Sequence, residues 1–242
     1  MSMHNDFKIT TFIFDLDGTL LPMDQEEFLN YYFIKLTSKF SKVDPKLLVN
    51  AIKYSVKAML ENSGSKTNET VFWETFRQVF PVDDNTNQEF LNFYTNEFQE
   101  LQKLTPQDEA VPEIIKILKS KNYRLICCTN PVFPQIATYS RMRWAGLQVE
   151  DFQEITTYEN SHFCKPNLNY YQEVLKRLNL TGNECIMVGN DVEEDLCVKE
   201  LGMKTFLVTN HIINSKNQAI ITDYQGTRID LLNFVKEIKP IK

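Results

Sequence analysis

Short, continuous runs of apolar residues recur along the chain and alternate with longer segments of helical periodicity. The runs span residues 11–14, 125–128, 186–188 and 206–208, with a shorter candidate at 154–157. A strand that is covered on both faces shows such a run, whereas a half-exposed strand alternates apolar and polar positions. Because helical patterns separate the runs, the sequence predicts an α/β fold with a doubly wound, mainly parallel sheet.

The segments between the later runs carry signals for the start and the end of helices. One helix is expected over 112–121, where Pro112 suits the first turn, and another over 135–145, ending at Gly146. A third is expected over 168–178. Ligands of sheets built in this way collect at the carboxyl ends of the strands. Polar residues that follow the apolar runs are therefore the first candidates for a site.

Residues 23–104 show a different pattern, with four amphipathic stripes and no convincing strand. Asp44-Pro45 is typical of a helix start, and the first stripe has an apolar residue at every fourth position. We expect an all-helical cap over 22–105, inserted into a core domain of residues 1–21 and 106–242. The stripes contain Phe28, Tyr32, Leu36 and Phe40; Leu47, Ala51, Tyr54 and Ala58; Phe72, Phe76 and Val79; and Phe90, Tyr94, Glu97 and Leu101.

Composition and charge limit the class of protein. The chain has 242 residues, of which 43% are apolar, and a formal net charge of -6. No basic run is interleaved with aromatic residues, so nucleic acid is not an expected partner. Residues 1–6 lack the pattern of a leader peptide, and no apolar stretch reaches the roughly 18 residues of a membrane span. We expect a globular, cytoplasmic protein without a membrane partner; no oligomeric state is predicted.

The five cysteines form no C-x-x-C pair, which is typical of reduced thiols in a reducing compartment. One of them lies beside Lys165 and His162, where a thiol of low pKa can act as a nucleophile. A small buried side chain is the favoured interpretation, because no partner triad is visible in the sequence. The cysteines are Cys127, Cys128, Cys164, Cys185 and Cys197, and Cys164 is the one in question.

Two carboxylates stand where the first apolar run ends. Asp15 and Asp17 are two residues apart, so on an extended chain both point to the same side. Two neighbouring carboxylates repel each other unless a cation or a proton lies with them. A hard, oxygen-seeking ion such as Mg²⁺ satisfies both, and it also binds phosphate oxygens. The pair therefore indicates phosphoryl-transfer chemistry.

The segment Asp15-Leu16-Asp17-Gly18-Thr19 resembles the first motif of the haloacid dehalogenase (HAD) superfamily. Counterparts of the other motifs follow in the right order, and together they span most of the chain. These counterparts are Thr129, Lys165 before Pro166, and Gly189-Asn190-Asp191 with Asp195.

The resemblance implies both a fold and an activity. The fold is a Rossmann-type α/β core with a helical cap of the C1 type between the first and second motifs. The activity is that of a Mg²⁺-dependent phosphatase, which hydrolyses a small phosphorylated metabolite through an aspartyl-phosphate intermediate.

The resemblance also implies roles for single residues. Asp15 attacks phosphorus as the nucleophile, while Asp17 protonates the leaving oxygen and later activates water. Thr129 donates its hydroxyl group to a phosphoryl oxygen, with the backbone amide of Asn130 as a second donor. Lys165 neutralises the phosphate and the crowded carboxylates.

The implied metal ligands are Asp15, Asp17 and Asp191. The sequence departs here from a common family pattern, which has an acidic residue where this chain has Asn190. Asp191 is expected to supply the direct metal oxygen, and Asn190 is either a neutral ligand or a hydrogen-bond donor beside one. Asp195 is expected to bind metal waters or the lysine.

Two further segments are expected to be structural. Glu193 and Glu194 suit the first turn of a helix, where the helix dipole favours acidic residues. The tail over 211–242 is expected to form a polar loop and an amphipathic helix around Leu231 and Phe234 that serves packing.

Other functions remain open at this point. A phosphomutase of the same superfamily keeps both aspartates, so the motifs do not separate it from a phosphatase. A non-catalytic protein that binds or senses a phosphorylated ligand is a second alternative; loss of Asp15, Asp17 or Lys165 would indicate it, and none is lost. Dehalogenation is disfavoured, because it uses neither a metal nor the second acid of the first motif.

Overall fold

A six-stranded sheet forms the centre of the molecule, as a computed structural model that describes residues 9–241 shows. All neighbouring strands are parallel, in the order β3-β2-β1-β4-β5-β6. The predicted α/β fold class is confirmed. The strands are β1 (Thr11–Phe14), β2 (Arg124–Cys127), β3 (Glu154–Ile155), β4 (Cys185–Gly189), β5 (Lys204–Val208) and β6 (Tyr224–Gly226).

The register of the central strands places their carboxyl ends side by side. Phe14 at the end of β1 pairs with Cys127 of β2 on one side and with Val188 of β4 on the other. Side chains of β1 alternate between two apolar layers: Phe12 and Phe14 belong to one core cluster and Ile13 to another. The sheet is therefore covered on both faces, which explains its continuous apolar runs.

Four α-helices and a 3₁₀ helix directly follow β1, before the helix that leads into the next strand. Asp24 and Asp44 cap the first two helices, accepting hydrogen bonds from the amides of Glu27 (2.8 Å) and Lys46 (2.9 Å). The predicted fourth stripe is split, because its helix ends at Thr95 and the chain continues as a 3₁₀ helix over Glu97–Leu104. The helices are α1 (Gln25–Lys39), α2 (Pro45–Leu60), α3 (Asn68–Val79) and α4 (Thr86–Thr95).

Aromatic side chains hold the inserted helices together and join them to the sheet. Tyr32 of α1 packs edge-on against Phe93 of α4, with ring centroids 5.6 Å apart. Phe76 of α3 contacts Phe90 of α4 at the same centroid distance of 5.6 Å. These rings share one core cluster with Phe12 of the sheet. The division into core and cap domains at residues 21/22 and 105/106 stays a prediction, and the part of it that covers residues 1–8 lies outside the described residues.

The remaining helices cover the sheet close to the predicted positions. They are α5 (Ala110–Ser120), α6 (Gln135–Trp144), α7 (Leu168–Arg177) and α8 (Arg228–Glu237). Among residues 9–241, no helix combines the length and apolar character that crossing a membrane requires.

Three details differ from the sequence-based expectations. The candidate strand at 154–157 contains only Glu154–Ile155, since the chain turns away afterwards. Val79, expected on the apolar stripe of α3, is 38% exposed, and Leu47 and Tyr54, expected on that of α2, are 40% and 56% exposed. The tail contains the edge strand β6, which the sequence did not indicate. This strand has only the three residues Tyr224–Gly226, two of which are exposed, so it carries no apolar run.

Asp223, the residue before β6, fixes this edge strand to the neighbouring strand β5. Its carboxylate accepts hydrogen bonds from Lys199 Nζ (2.9 Å), Lys204 Nζ (2.8 Å) and the amide of Thr205 (3.1 Å). Burial acts to raise the pKa of this carboxyl group, but the hydrogen bonds and the lysine charge outweigh it and lower the pKa to about 2.

We expect Asp223→Asn to lower the free energy of unfolding at neutral pH by about 1–2 kcal/mol, because charged hydrogen bonds are lost at a partly screened site. The folded-state pKa lies below that of the unfolded chain, so the contribution is present above about pH 4 and is lost as the pH falls toward 2. Urea unfolding of both proteins across this range measures it, with exposed Asp84→Asn as the control. A difference that does not change with pH would contradict the assignment.

Candidate active site

The predicted site residues come from loops at the carboxyl ends of four neighbouring strands. Asp15 directly follows β1, Thr129 lies two residues beyond β2, and Asn190 directly follows β4. Lys165 lies in the segment between β3 and α7. The shared register of β1, β2 and β4 explains why residues so distant in sequence meet at one edge of the sheet.

Asp15 is buried and held at both carboxylate oxygens. Lys165 Nζ donates to Oδ1 at 2.8 Å, and Thr19 Oγ1 donates to Oδ2 at 3.1 Å. The side chain is 11% exposed, and it lines a cavity between the sheet and the inserted helices. The carboxylate is therefore fixed in orientation while one face stays accessible.

Lys165 connects two carboxylates beneath the cavity. Its side chain is fully buried, and Nζ donates to Asp15 Oδ1 and, at 2.7 Å, to Asp195 Oδ1. Burial alone lowers the pKa of a lysine, but the charges of the two aspartates outweigh it and raise the pKa of Lys165. Lys165 is thus a permanent cation at neutral pH.

Asp195 belongs to this ion-pair network rather than to the open surface of the site. Its second oxygen, Oδ2, accepts from the backbone amide of Asp191 at 3.0 Å. Burial raises the pKa of Asp195 to about 6, and Lys165 acts in the opposite direction. Of the two partners expected for Asp195, the structure places the lysine at hydrogen-bond distance.

Asp17 forms an ion pair that the sequence did not indicate. Its Oδ2 accepts from Arg141, a residue of α6 that is 1% exposed. The guanidinium group also lies over the ring of Phe133, 4.6 Å from its centroid. The other oxygen of Asp17, Oδ1, is buried and has no hydrogen-bond partner among the residues that the structure describes. Burial raises the pKa of Asp17, with Arg141 opposing.

Gly18 and Asn190 form the close contact on which the turn after β1 depends. Gly18 has φ of +80°, and a Cβ atom there would lie 2.4 Å from Asn190 Nδ2. The amide of Asn190 is used at both ends: Oδ1 accepts from Thr19 Oγ1 at 2.9 Å, and Nδ2 donates to the carbonyl of His211 at 2.6 Å. Asn190 therefore supports the turn that carries Asp15.

Asp191 and Glu194 line the cavity opposite the lysine. Asp191 Oδ1 accepts from the amides of Glu193 and Glu194, both at 2.8 Å. The expectation that these two glutamates begin a helix is wrong, because they lie in a turn before a 3₁₀ helix over Leu196–Leu201. Burial raises the pKa of Glu194 to about 7.

The loop after β2 supplies polar groups on the other side. Hydroxyl groups of Thr156 (2.8 Å) and Tyr170 (2.9 Å) donate to the backbone carbonyl of Thr129 and so fix its position. Asn130 Nδ2 donates to Glu194 Oε1 at 2.9 Å. Asn130 Oδ1 is buried without a partner within residues 9–241. Glu194 and Arg141 are the contacts that sequence reasoning missed, since both types of residue are usually solvated.

The oxygen donors fit a magnesium ion that is held jointly with a ligand. In the described part of the chain, no group of three or more His, Cys, Asp or Glu side chains is arranged to hold a metal by itself. Mg²⁺ usually takes only one or two carboxylates and completes its shell with water and phosphate oxygens. Asp15 and Asp191 supply such carboxylates on one cavity, which Asp17 also lines.

Cys164 has the properties of a structural thiol. It is 2% exposed, and its sulfur accepts from Asn68 Nδ2 at 3.3 Å. Burial raises the pKa of this thiol to about 12. A group of this kind is not a nucleophile at neutral pH, which agrees with the favoured interpretation of the sequence.

Comparison with known proteins identifies the family. Residues 12–208 match the haloacid dehalogenase-like hydrolase family. The chain belongs to this family. Among solved structures, the fold of this HAD-like protein resembles a HAD phosphatase from Thermococcus onnurineus, with a TM-score of 0.60, 17% identity, and coverage of 96% of this chain and 100% of that one.

Two curated relatives of the HAD-like chain are both named glyceraldehyde 3-phosphate phosphatase. The protein of Methanothermobacter thermautotrophicus is 26% identical over 125 residues, covering 51% of this chain and 53% of the relative. That of Methanocaldococcus jannaschii is 30% identical over 90 residues, covering 36% and 40%. The chain thus matches about half or less of the length of these relatives.

We expect Arg141→Met to lower the free energy of unfolding by about 3–5 kcal/mol, because it leaves Asp17 as a buried carboxylate without its cation. Adding Asp17→Asn to this variant should restore part of the loss, since the uncompensated charge is then removed. Chemical unfolding of the single and double variants measures the coupling. The control is Arg143→Met, an exposed arginine of the same helix, with an expected change within about 0.5 kcal/mol. Equal stability of the single and double variants would exclude a coupled pair.

Proposed function

We propose that the chain is a Mg²⁺-dependent phosphatase that hydrolyses a phosphomonoester through an aspartyl-phosphate on Asp15. The observation that carries the proposal is the fixed carboxylate of Asp15 on the cavity, between the cation Lys165 and the hydroxyl of Thr19, with Asp17 two residues further on. Family membership and the names of the two curated relatives support this class of reaction. Their substrate is not carried over to this chain.

In the first step, a carboxylate oxygen of Asp15 attacks phosphorus, and the bond between phosphorus and the ester oxygen breaks. Asp17, in its protonated form, gives its proton to that departing oxygen, so the alcohol leaves neutral. Arg141 holds Asp17 Oδ2, which keeps the unpartnered Oδ1 as the oxygen for this transfer. Thr129 and the amide of Asn130 donate hydrogen bonds to the phosphoryl oxygens.

In the second step, water attacks the phosphorus of the aspartyl-phosphate. Asp17, now ionised, takes a proton from this water, and the bond between phosphorus and the Asp15 oxygen breaks. Inorganic phosphate leaves, the Asp15 carboxylate is restored and Asp17 is again protonated. One side chain thus acts first as an acid and then as a base, and the displacement is divided into two covalent steps.

Lys165 and the proposed metal ligands balance the negative charge of the phosphoryl group. Asp15 and Asp191, with the amide of Asn190 nearby, would hold Mg²⁺, while the side chain of Asp17 is kept for proton transfer. The bound ion would supply Lewis-acid stabilisation of the charge that develops on the phosphoryl oxygens. Lys165 contributes a second cation, which the buried contact with Asp195 keeps in place.

We expect Asp15→Asn to abolish phosphate release from any phosphomonoester, because an amide does not form the covalent intermediate. The measurement is inorganic phosphate released from a panel of sugar phosphates, nucleotides and an aryl phosphate, with and without Mg²⁺. Asp84→Asn makes the same chemical change in an exposed loop and is expected to retain activity. Phosphate release by Asp15→Asn at the rate of the unaltered chain would exclude the proposed nucleophile. If the unaltered chain releases phosphate from no compound of the panel, the phosphatase is excluded.

Asp191→Asn tests the metal assignment separately. We expect it to raise the Mg²⁺ concentration for half-maximal activity by about tenfold or more, because the ion loses an anionic ligand. Titration of Mg²⁺ at saturating substrate measures this shift. Asp223→Asn removes a carboxylate remote from the carboxyl ends of the strands, and it should leave the half-maximal concentration unchanged. A variant whose Mg²⁺ requirement equals that of the unaltered chain would remove Asp191 from the ligand set.

A further inference from the structure

The cavity above Asp15 is much larger than a three-carbon phosphate ester requires. Its volume is about 750 Å³, and it extends from Asp15 and Thr129 at the strand ends to Leu60 and Leu91 of the inserted helices. Cavities of about 300–1,000 Å³ enclose ligands of the size of a drug molecule. A small ester bound at the strand ends would leave most of this space without contact.

Aromatic rings form much of the wall beyond the strand ends. Phe33 of α1, Trp73 of α3 and Phe133 of the loop after β2 line the cavity and are partly exposed. Phe133 packs edge-on against Tyr32, with ring centroids 5.6 Å apart, so the loop and the inserted helices share one apolar surface. Burying ring faces of this kind against an apolar ligand is favourable in proportion to the area removed from water.

Several polar groups of this wall are already engaged with each other or with the backbone. The hydroxyl groups of Tyr32 and Tyr94 bond to each other at 2.9 Å, and burial raises the pKa of Tyr32 to about 12. Both carboxylate oxygens of Glu159 accept from the backbone amide of Gln135, at 2.8 and 3.0 Å. A ligand with many hydroxyl groups would lose its hydration here and find few partners.

The lysines of the wall, Lys53 and Lys57, are exposed to solvent, and Glu69 is half-buried. Lys53 lies 5.7 Å from the centroid of the Phe33 ring, and Lys57 Nζ lies 3.8 Å from Glu61 Oε1. Burial, followed by the charge of nearby Glu159, raises the pKa of Glu69. None of these residues supplies a buried charge that would select a second anionic group on the substrate.

We propose that the natural substrate of this site is a phosphomonoester whose alcohol part is a large, apolar group with an aromatic or similarly flat ring system. The phosphate lies at the strand ends and the apolar group lies against Phe33, Trp73 and Phe133. This inference rests on the proposed function, and it gives that function a substrate class distinct from small polar sugar phosphates.

The test compares two esters that have the same leaving group and differ only in apolar size. Butyl phosphate and 4-phenylbutyl phosphate both release a primary alcohol, so their chemical reactivity is matched. With the full chain and Mg²⁺, we expect kcat/KM for 4-phenylbutyl phosphate to exceed that for butyl phosphate by about tenfold or more. Glycerol 3-phosphate, which is small and polar, should rank with butyl phosphate or below it.

Variants of the wall connect this preference to the named rings. Trp73→Leu should lower the preference for 4-phenylbutyl phosphate to about threefold or less, mainly through a higher KM for that ester. Tyr54→Leu, an aromatic residue of α2 that is 56% exposed and outside the cavity wall, should leave the preference unchanged. Equal loss of preference in both variants would show that the cavity ring is not the determinant.

The outcomes separate this inference from the proposed function. Release of phosphate from all three esters with equal kcat/KM would overturn the apolar substrate class and leave the phosphatase intact. Release from none would overturn the phosphatase, and binding would then decide the cavity's ligand. In that case, binding of 4-phenylbutylphosphonate and of butylphosphonate is measured by the quenching of tryptophan fluorescence. The contribution of Trp73 is the difference between the unaltered chain and Trp73→Leu. Tighter binding of the phenyl compound would then support an apolar phosphorylated ligand for the cavity in place of a substrate, and equal binding would overturn the apolar class altogether.

Discussion

A single buried ammonium group holds the candidate site together. Lys165 Nζ bridges Asp15 and Asp195, which come from the ends of β1 and the segment after β4. Without this cation, two carboxylates would lie in a poorly hydrated space and repel each other, at a cost of several kcal/mol. In the proposed reaction, the same charge that stabilises the resting protein also balances the charge of the phosphoryl group. Stability and the proposed chemistry therefore depend on one interaction.

Much of the sheet, and the meeting of the candidate site residues at its carboxyl edge, could be predicted from the sequence, because local signals were strong there. Continuous apolar runs predicted β1 and β4, and Asp15, Thr129 and Lys165 stood at positions where parallel strands end. Edge strand β6 was missed, because exposed, short strands carry little pattern. The split between α4 and the following 3₁₀ helix was missed for a related reason: the apolar stripe continues across both, while the hydrogen-bond geometry changes.

Arg141 shows the limit of sequence reasoning in physical terms. Its neighbours on α6 include a second arginine, Arg143, which is exposed, and nothing in the local pattern separates the two. Only the tertiary fold brings Asp17 to one of them and the ring of Phe133 alongside. The size and aromatic lining of the cavity likewise depend on how the inserted helices sit over the strand ends, which periodicity alone does not specify.

The register of the sheet also governs the order in which this protein can acquire its site. β1 is made early, yet Phe14 pairs with Cys127 and Val188, residues that follow all four inserted helices. Asp191 and Asp195 follow β4, so a chain that ends before β4 contains the inserted helices, Asp15 and Lys165 but lacks these two carboxylates. Synthesis from the amino end therefore yields the inserted helices before the strand and the carboxylates that complete the candidate site.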